Sequence, residues 1–194
     1  RTGDVYELAM TTCLRSILDH KSEPVFMDIG AYAGYYACYA AAYKADRSSV
    51  YAVESNREHC QNIRRSIAEN DFKKVTVLNA VLSDRQESLT VYKESVADEE
   101  HLKSLTGLER NEVARREDIL REGVRRRSQT LDGLCEQEAI SPTVLKIDVR
   151  GAEGKVLAGA SRILTKCLDY VLLEIHPEEM LMQYSPGHTR RSII

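Results

Sequence analysis

Val25-Phe26-Met27-Asp28-Ile29-Gly30-Ala31-Tyr32-Ala33-Gly34 is the stretch whose reading decides the fold. Residues 25–29 are apolar except for one carboxylate and read as a short buried strand. Residues 30–34 carry two glycines four apart and read as a turn, and Tyr35 to Lys44 reads as a helix opened by Gly34. Upstream, Val5, Leu8, Ala9, Leu14, Ile17 and Leu18 fall at helical spacing over 4–18, ahead of Pro24. Downstream, the alternation continues. Val50 to Val53 is a strand that stops at Glu54. Ser55 is the expected N-cap of a helix to about Asn70, with Cys60, Ile63 and Ile67 on one face. Val75 to Leu78 is a third strand, and 81–92 reads as a hairpin or an extra strand pair. Thr143 to Ile147 is a strand, Ala152 to about Lys166 a helix, and Tyr170 to Ile175 a fifth strand. Strands that are apolar throughout are buried on both faces, which predicts an α/β fold with a mostly parallel, doubly wound sheet covered by helices.

With 194 residues the chain reads as one domain, 1–194, carrying a charged, mostly solvated helical insertion at about 93–127. An apolar fraction of 43% against 29% charged excludes a disordered chain. No apolar run approaches the ~20 residues of a membrane helix. A net charge of −3 lacks the basic footprint of a nucleic-acid binder. Cys13, Cys38, Cys60, Cys135 and Cys167 are scattered, odd in number and without a CxxC pair. That argues against a disulfide framework and a structural zinc site, and fits a reducing, cytoplasmic setting.

In such sheets the ligand sits beyond the carboxyl ends of the strands, so the residues following each strand carry the functional reading. The turn after the first strand is not a GxGxxG dinucleotide fingerprint. Asp28 just ahead of it would repel a diphosphate and suits a ligand with a cationic amino group; an ordinary capped turn is the plainer alternative. Glu54 ends the second strand about twenty residues past the turn, where a carboxylate accepts hydrogen bonds from ribose hydroxyls. It would also serve as a dipole partner for the following helix. Together the turn and Glu54 point to an adenosine-containing ligand. Asn79, Ser83 and Asp84 follow the third strand with groups suited to an adenine edge, or to plain turn chemistry. Lys146 and Asp148 share a strand face and are expected to pair. Glu153 falls in the first helical turn, where a dipole role suffices. His176 sits beside Glu174 at the end of the fifth strand, where an imidazole serves as general base or as a structural side chain. Tyr32, Tyr35, Tyr36, Tyr39 and Tyr43 read as helix packing, with stacking on adenine or a sugar as the alternative.

DIGAYAGYY from Asp28, Glu54 after it, LNAVLSD (78–84), SQTLDGL (128–134), LKIDVRGAEGKVLAGA (145–160) and the closing LLEIH resemble an FkbM-type methyltransferase over roughly residues 3–176. The resemblance implies a class I, Rossmann-like methyltransferase fold, and the chain reads as short of that fold's last strands. It implies S-adenosyl-L-methionine as cofactor and a hydroxyl of a sugar or natural product as methyl acceptor. It also implies that Asp28, Gly30 and Gly34 line the methionine and ribose side, Glu54 takes the ribose, Ser83 and Asp84 take the adenine, and Asp148 lies near the transferred methyl. Tyr6 or Glu7, in a lead-in resembling the family's start, would close over the cofactor. Arg150 departs from the Glu usual in the family. Catalysis of methyl transfer is mainly alignment, helped by a base; His176 is the first candidate and Asp148 the second. Asp148 would alternatively stabilise the sulfonium or hold a divalent cation. The histidines 20, 59, 101, 176 and 188 form no HxxxH spacing, so no metal site is expected. The partner expected is a small-molecule or glycan acceptor, with neither nucleic acid nor membrane. The competing readings are a non-catalytic nucleotide-binding scaffold and a methyltransferase acting on nucleic acid or protein.

Overall fold

Five strands pair side by side in parallel, and the order in which they do so brings residues distant in sequence to one end of the sheet. The structure is a computed structural model describing residues 6–92 and 123–193. In chain order the elements are α1 (Leu8–His20), β1 (Val25–Ile29), α2 (Tyr35–Lys44), β2 (Ser49–Glu54), α3 (Arg57–Glu69), β3 (Val75–Asn79), β4 (Val81–Leu82), β5 (Ser88–Tyr92) and β6 (Gly123–Gln129). They continue with α4 (Leu131–Gln137), β7 (Val144–Ile147), α5 (Glu153–Ala158), α6 (Ser161–Lys166), β8 (Tyr170–Leu173), α7 (Glu178–Tyr184) and α8 (Arg190–Ile193). The sheet runs β3-β2-β1-β7-β8. The chain moves outward from β1 to β3, then returns to β1's other side with β7, so the order reverses at β1. The ends of β1, β2 and β7 there bound the crevice such a sheet offers a ligand. This is the expected α/β fold with a doubly wound, parallel main sheet.

The central strands β1, β2 and β7 are largely apolar because both of their faces are covered. Met27, Ile29, Val53, Leu145 and Ile147 turn to one side and pack with Leu131, Leu134, Val156 and Ile163. Phe26, Val50, Ala52 and Val144 turn to the other and pack with Leu14, Leu18, Ala37, Ala40 and Ile63. The alanines of α2 let that helix lie close on the sheet. A side chain as large as Phe26, with no surface exposed, contributes about 1.5–3 kcal/mol through burial alone.

Two compact units divide the chain: Arg1–Glu87 with Ser128–Ile194, and Ser88–Arg127. In the first, β4 pairs in parallel with Ser128 and Gln129. In the second, β5 pairs antiparallel with β6, Ser88 opposite Arg127 and Tyr92 opposite Gly123. The hairpin or extra strand pair expected over 81–92 is two strands that do not pair with each other: β4 and β5 both take β6, some forty residues on, as their partner. The stretch 93–122, expected to be helical, lies outside the described residues, while 123–127 is strand rather than helix.

Three element ends also differ from expectation. Asn56, not Ser55, caps α3, its Oδ1 accepting from the amides of Glu58 (2.8 Å) and His59 (3.4 Å). Ser55 Oγ turns to Glu54 instead. The expected helix over 152–166 is two helices. The carboxylate of Asp132 accepts from the amides of Arg162 (2.8 Å) and Ile163 (2.9 Å), starting a new helix there with a cap supplied from α4. The last parallel strand ends at Leu173, two residues before Ile175.

Candidate active site

β1 and β7 are in register with Asp28 opposite Lys146, so the two side chains stand together on the face covered by α1 and α2. Lys146 Nζ lies 3.3 Å from Asp28 Oδ1 and 3.4 Å from Asp148 Oδ2, and sits 4.8 Å over the ring of Tyr36. Asp28 and Lys146 are almost wholly buried. Burial pushes the Asp28 carboxyl up, with the ammonium drawing it back. Burial works against the Lys146 charge too, but Asp28 and Asp148 more than offset it and hold this amine above its ordinary value. A lysine between two carboxylates keeps its proton, so the group is a buried ion triad. The expected pairing of Lys146 with Asp148 is found. Asp28, expected beside a ligand, is instead closed off behind Lys146, because the long-range register of β1 on β7 gives it a partner that its local sequence does not reveal.

Beyond β7 the chain turns back through Gly151 into α5. Glu153 there is fully buried; its Oε1 accepts from the Gly151 amide at 2.9 Å and lies 2.9 Å from His176 Nδ1. Nε2 of the same ring lies 3.8 Å from Asp148 Oδ1. The Glu153 hydrogen bond raises the His176 pKa above its ordinary value, against the opposing effect of burial, and Asp148 and Glu174 add to the rise. Burial alone would raise the Glu153 carboxyl, but His176 and the Gly151 amide outweigh it and hold it low. Glu174, which follows β8, is pushed up by partial burial and by the charges of Asp148 and Glu7. Sequence reading left Glu153 with a helix-dipole role; its hold on His176 appears only when α5 folds beside the end of β8.

α1 closes the same end of the sheet. Tyr36 Oη donates to Glu7 Oε2 at 2.5 Å, and the Tyr6 ring stands edge-on to Tyr35 at 5.1 Å. Burial first, then Glu7, pushes the Tyr6 phenol up to about 12, with Asp148 and Glu174 contributing to the rise.

At the end of β2, Glu54 is 7% exposed and heavily used. Oε2 accepts from the Tyr32 amide (2.8 Å); Oε1 accepts from the Asn56 amide (2.7 Å) and Ser55 Oγ (3.3 Å). Asn79, in register with Glu54, donates to the Glu54 and Ser55 carbonyls and ties the two strand ends together. Tyr32 is not in α2; it occupies the turn with φ +48° and is half exposed, edge-on to His59 at 4.7 Å. The pair forms an aromatic wall beside Glu54 that a helix-packing reading misses.

The two glycines of the turn have packing reasons. Gly30 has φ +77°, and a Cβ there would fall 1.8 Å from the Asp148 carbonyl oxygen. Gly34 has φ +82°, and a Cβ would meet Ile63 Cγ1 at 2.9 Å. The first contact also fastens the turn to the residue that carries Asp148. Ser83 is fully buried and its hydroxyl donates to Asp84 Oδ1 at 3.0 Å. Partial burial of Asp84 is outweighed by that donor and by Arg85, and its carboxyl is held low. Distinct clusters therefore gather at the strand ends: Tyr32, Glu54 and His59 at the ends of β1 and β2; Ser83 and Asp84 after β4; Lys146, Asp148, Glu153, Glu174 and His176 at the ends of β7 and β8.

The sequence profile described as the methyltransferase FkbM domain matches residues 28–193. The chain belongs to the FkbM methyltransferase family. Among solved structures, a methyltransferase FkbM from Methylobacillus flagellatus KT is similar at a TM-score of 0.50 and 15% identity, covering 77% of this chain and 32% of that one. The chain thus spans about a third of that protein's length. A SAM-dependent O-methyltransferase from Thermotoga maritima gives a TM-score of 0.49 at 12% identity, covering 95% of this chain and 49% of its own. A precorrin-6y C5,15-methyltransferase from Geobacter metallireducens GS-15 gives 0.49 at 13%, covering 95% and 71%. No curated protein matches. Among the described residues, no helix of this FkbM-family chain is long and apolar enough to cross a membrane.

Proposed function

We propose that this FkbM-family domain binds S-adenosylmethionine and carries out O-methylation, with a hydroxyl of a sugar or small natural product as acceptor. The observation that carries the chemistry is the Glu153–His176–Asp148 arrangement: a buried carboxylate fixes Nδ1 at 2.9 Å and leaves Nε2 3.8 Å from a second carboxylate.

The residues at the strand ends fit the cofactor. Glu54 Oε2 receives one amide and retains a lone pair for a ribose hydroxyl. Among the described residues His59 Nδ1 is buried without a hydrogen-bond partner, 3.8 Å from Glu54 Oε1, so a polar ligand group there would satisfy an otherwise costly atom. Asp84, held ionised by Ser83, suits the adenine amino group. Gly30 and Gly34 shape the turn rather than touch the ligand, and Asp28 acts through Lys146 by keeping that ammonium on Asp148.

When bound, S-adenosylmethionine supplies an electrophilic methyl group. His176 takes the acceptor's hydroxyl proton on Nε2, and Glu153 stabilises the imidazolium through Nδ1. Asp148 adds negative charge beside both the imidazolium and the crevice. Tyr6 and Glu7, on the entrance side, restrict water.

Calorimetry with S-adenosylhomocysteine followed by transfer of labelled methyl over a carbohydrate panel tests the reading. The expected result is binding that Glu54→Ala weakens, and turnover that His176→Ala lowers by about 10²–10⁴. Binding without turnover on any acceptor favours the scaffold role. Salt-sensitive RNA binding with methyl transfer to RNA favours a nucleic-acid substrate. No binding, with Glu54→Ala indistinguishable, refutes the cofactor assignment.

A further inference from the structure

We propose that Asp148, Glu174 and His176 form a divalent-cation site at the ends of β7 and β8. One ligand atom from each lies within 4.8 Å of the others. Ligands about 2.1 Å from a cation stand about 3 Å apart when adjacent and about 4.2 Å apart when opposite, so a small inward movement closes the shell.

The second observation is the geometry around the three ligands. Fully buried Glu153 holds His176 Nδ1 at 2.9 Å, which turns Nε2 toward Asp148. Nε2 lies 3.8 Å from Asp148 Oδ1, beyond hydrogen-bond reach. Lys146 serves only the other oxygen, Oδ2, at 3.4 Å. Among the described residues no hydrogen-bond donor reaches the Glu174 carboxylate. A proton on Nε2 would face Asp148 and leave Glu174 unanswered, whereas one cation serves all three. A buried carboxylate behind a ligating imidazole is also the support that metal-bound histidines ordinarily have.

The donor set selects the ion. Two carboxylate oxygens with one imidazole nitrogen, partly exposed and leaving positions open, suit Mn2+ or Zn2+ better than Mg2+ or Ca2+, which prefer oxygen alone. From sequence a divalent cation is an alternative for Asp148 alone; Glu174 and His176 join it only in the fold, because the set comes from the ends of two strands and the histidines have no ligand spacing. Binding of the ion stands independently of the methyltransferase reading, but its role rests on it. With the site filled, the acceptor hydroxyl coordinates at an open position, its O–H bond breaks, and the proton leaves to water instead of to His176.

The test is titration of EDTA-treated, dialysed protein with MnCl2 alone, followed by calorimetry and by the Mn2+ electron-paramagnetic signal. The expected result is one ion per chain, with affinity reduced about tenfold or more in Glu174→Gln and in Asp148→Asn, while S-adenosylhomocysteine affinity and circular dichroism of Glu174→Gln match the parent. ZnCl2 is expected to compete for the same single site. Absence of saturable uptake of either ion, or uptake unchanged in both variants, overturns the proposal. Full turnover in EDTA without ion binding overturns the cation alone, and failure to bind S-adenosylhomocysteine alongside normal Mn2+ uptake overturns the cofactor reading alone.

Discussion

Replacing Lys146 with methionine removes the only ammonium that, among the described residues, contacts Asp28, a carboxylate with none of its surface exposed. Methionine keeps the stem packed over Tyr36 but leaves the acid buried and uncompensated. Breaking a buried pair in this way costs about 3–5 kcal/mol, more than the pair itself contributes. At about 2–4 °C per kcal/mol for a chain of this size, the melting temperature should fall by about 6–20 °C. The companion variants are Asp28→Asn and the double replacement Asp28→Leu/Lys146→Met. The double variant removes both charges and should recover most of the lost stability, giving strong non-additivity in the cycle. The single variant has a pH signature of known sign. Without the ammonium, the Asp28 carboxyl rises further, and a raised folded-state pKa contributes stability only where the acid is protonated. Lys146→Met should therefore approach the parent as pH falls and diverge from it as pH rises. Urea unfolding followed by circular dichroism at several pH values measures all of this. A loss under about 1 kcal/mol at neutral pH, additive with Asp28→Asn, would refute the buried ion triad.

Gly30→Ala drives a Cβ into the Asp148 carbonyl at 1.8 Å with φ +77°, so soluble expression or stability should collapse; a parental melting temperature would show the turn free of β7. Glu54→Gln loses one acceptor among its three loop donors and should weaken S-adenosylhomocysteine about tenfold by calorimetry, and equal affinity would remove Glu54 from the ribose assignment. In EDTA-treated protein, turnover should rise with pH through a midpoint above the ordinary histidine value of about 6.5, because His176 must lose a proton that Glu153 helps it keep; a midpoint below that value contradicts the Glu153 contact. The His176 pKa raised by folding contributes stability below its unfolded value that is lost as pH climbs through the folded one, so His176→Asn should narrow its deficit against the parent at alkaline pH, as thermal unfolding would report.

The strands were legible because their apolar runs need no partner to be recognised: 25–29 and the helix 35–44 fall where expected. The place of Glu54 at the end of a second strand was legible because the apolar run 50–53 stops there. What was hidden depends on pairing across long sequence distances. Nothing local to 81–92 indicates that its strands take partners at 123–129. Nothing in 152–166 reveals that Asp132 would interrupt the helix. Asp28 reads locally as a ligand-facing acid because its neutraliser lies more than a hundred residues away. Glu153 and Glu174 look like ordinary surface acids until α5 and β8 converge on His176.

Tyr36 has two attachments: its hydroxyl holds Glu7 at the start of α1, and its ring lies beneath the Lys146 ammonium. The start of α1 is thereby mechanically coupled to the charged end of β7. Trimming the chain past Glu7, or fusing a bulky tag against it, would loosen the platform under that lysine and change the electrostatics of a site more than a hundred residues downstream. Amino-terminal boundaries chosen for expression thus become a variable in any measurement of this domain's ligand affinity.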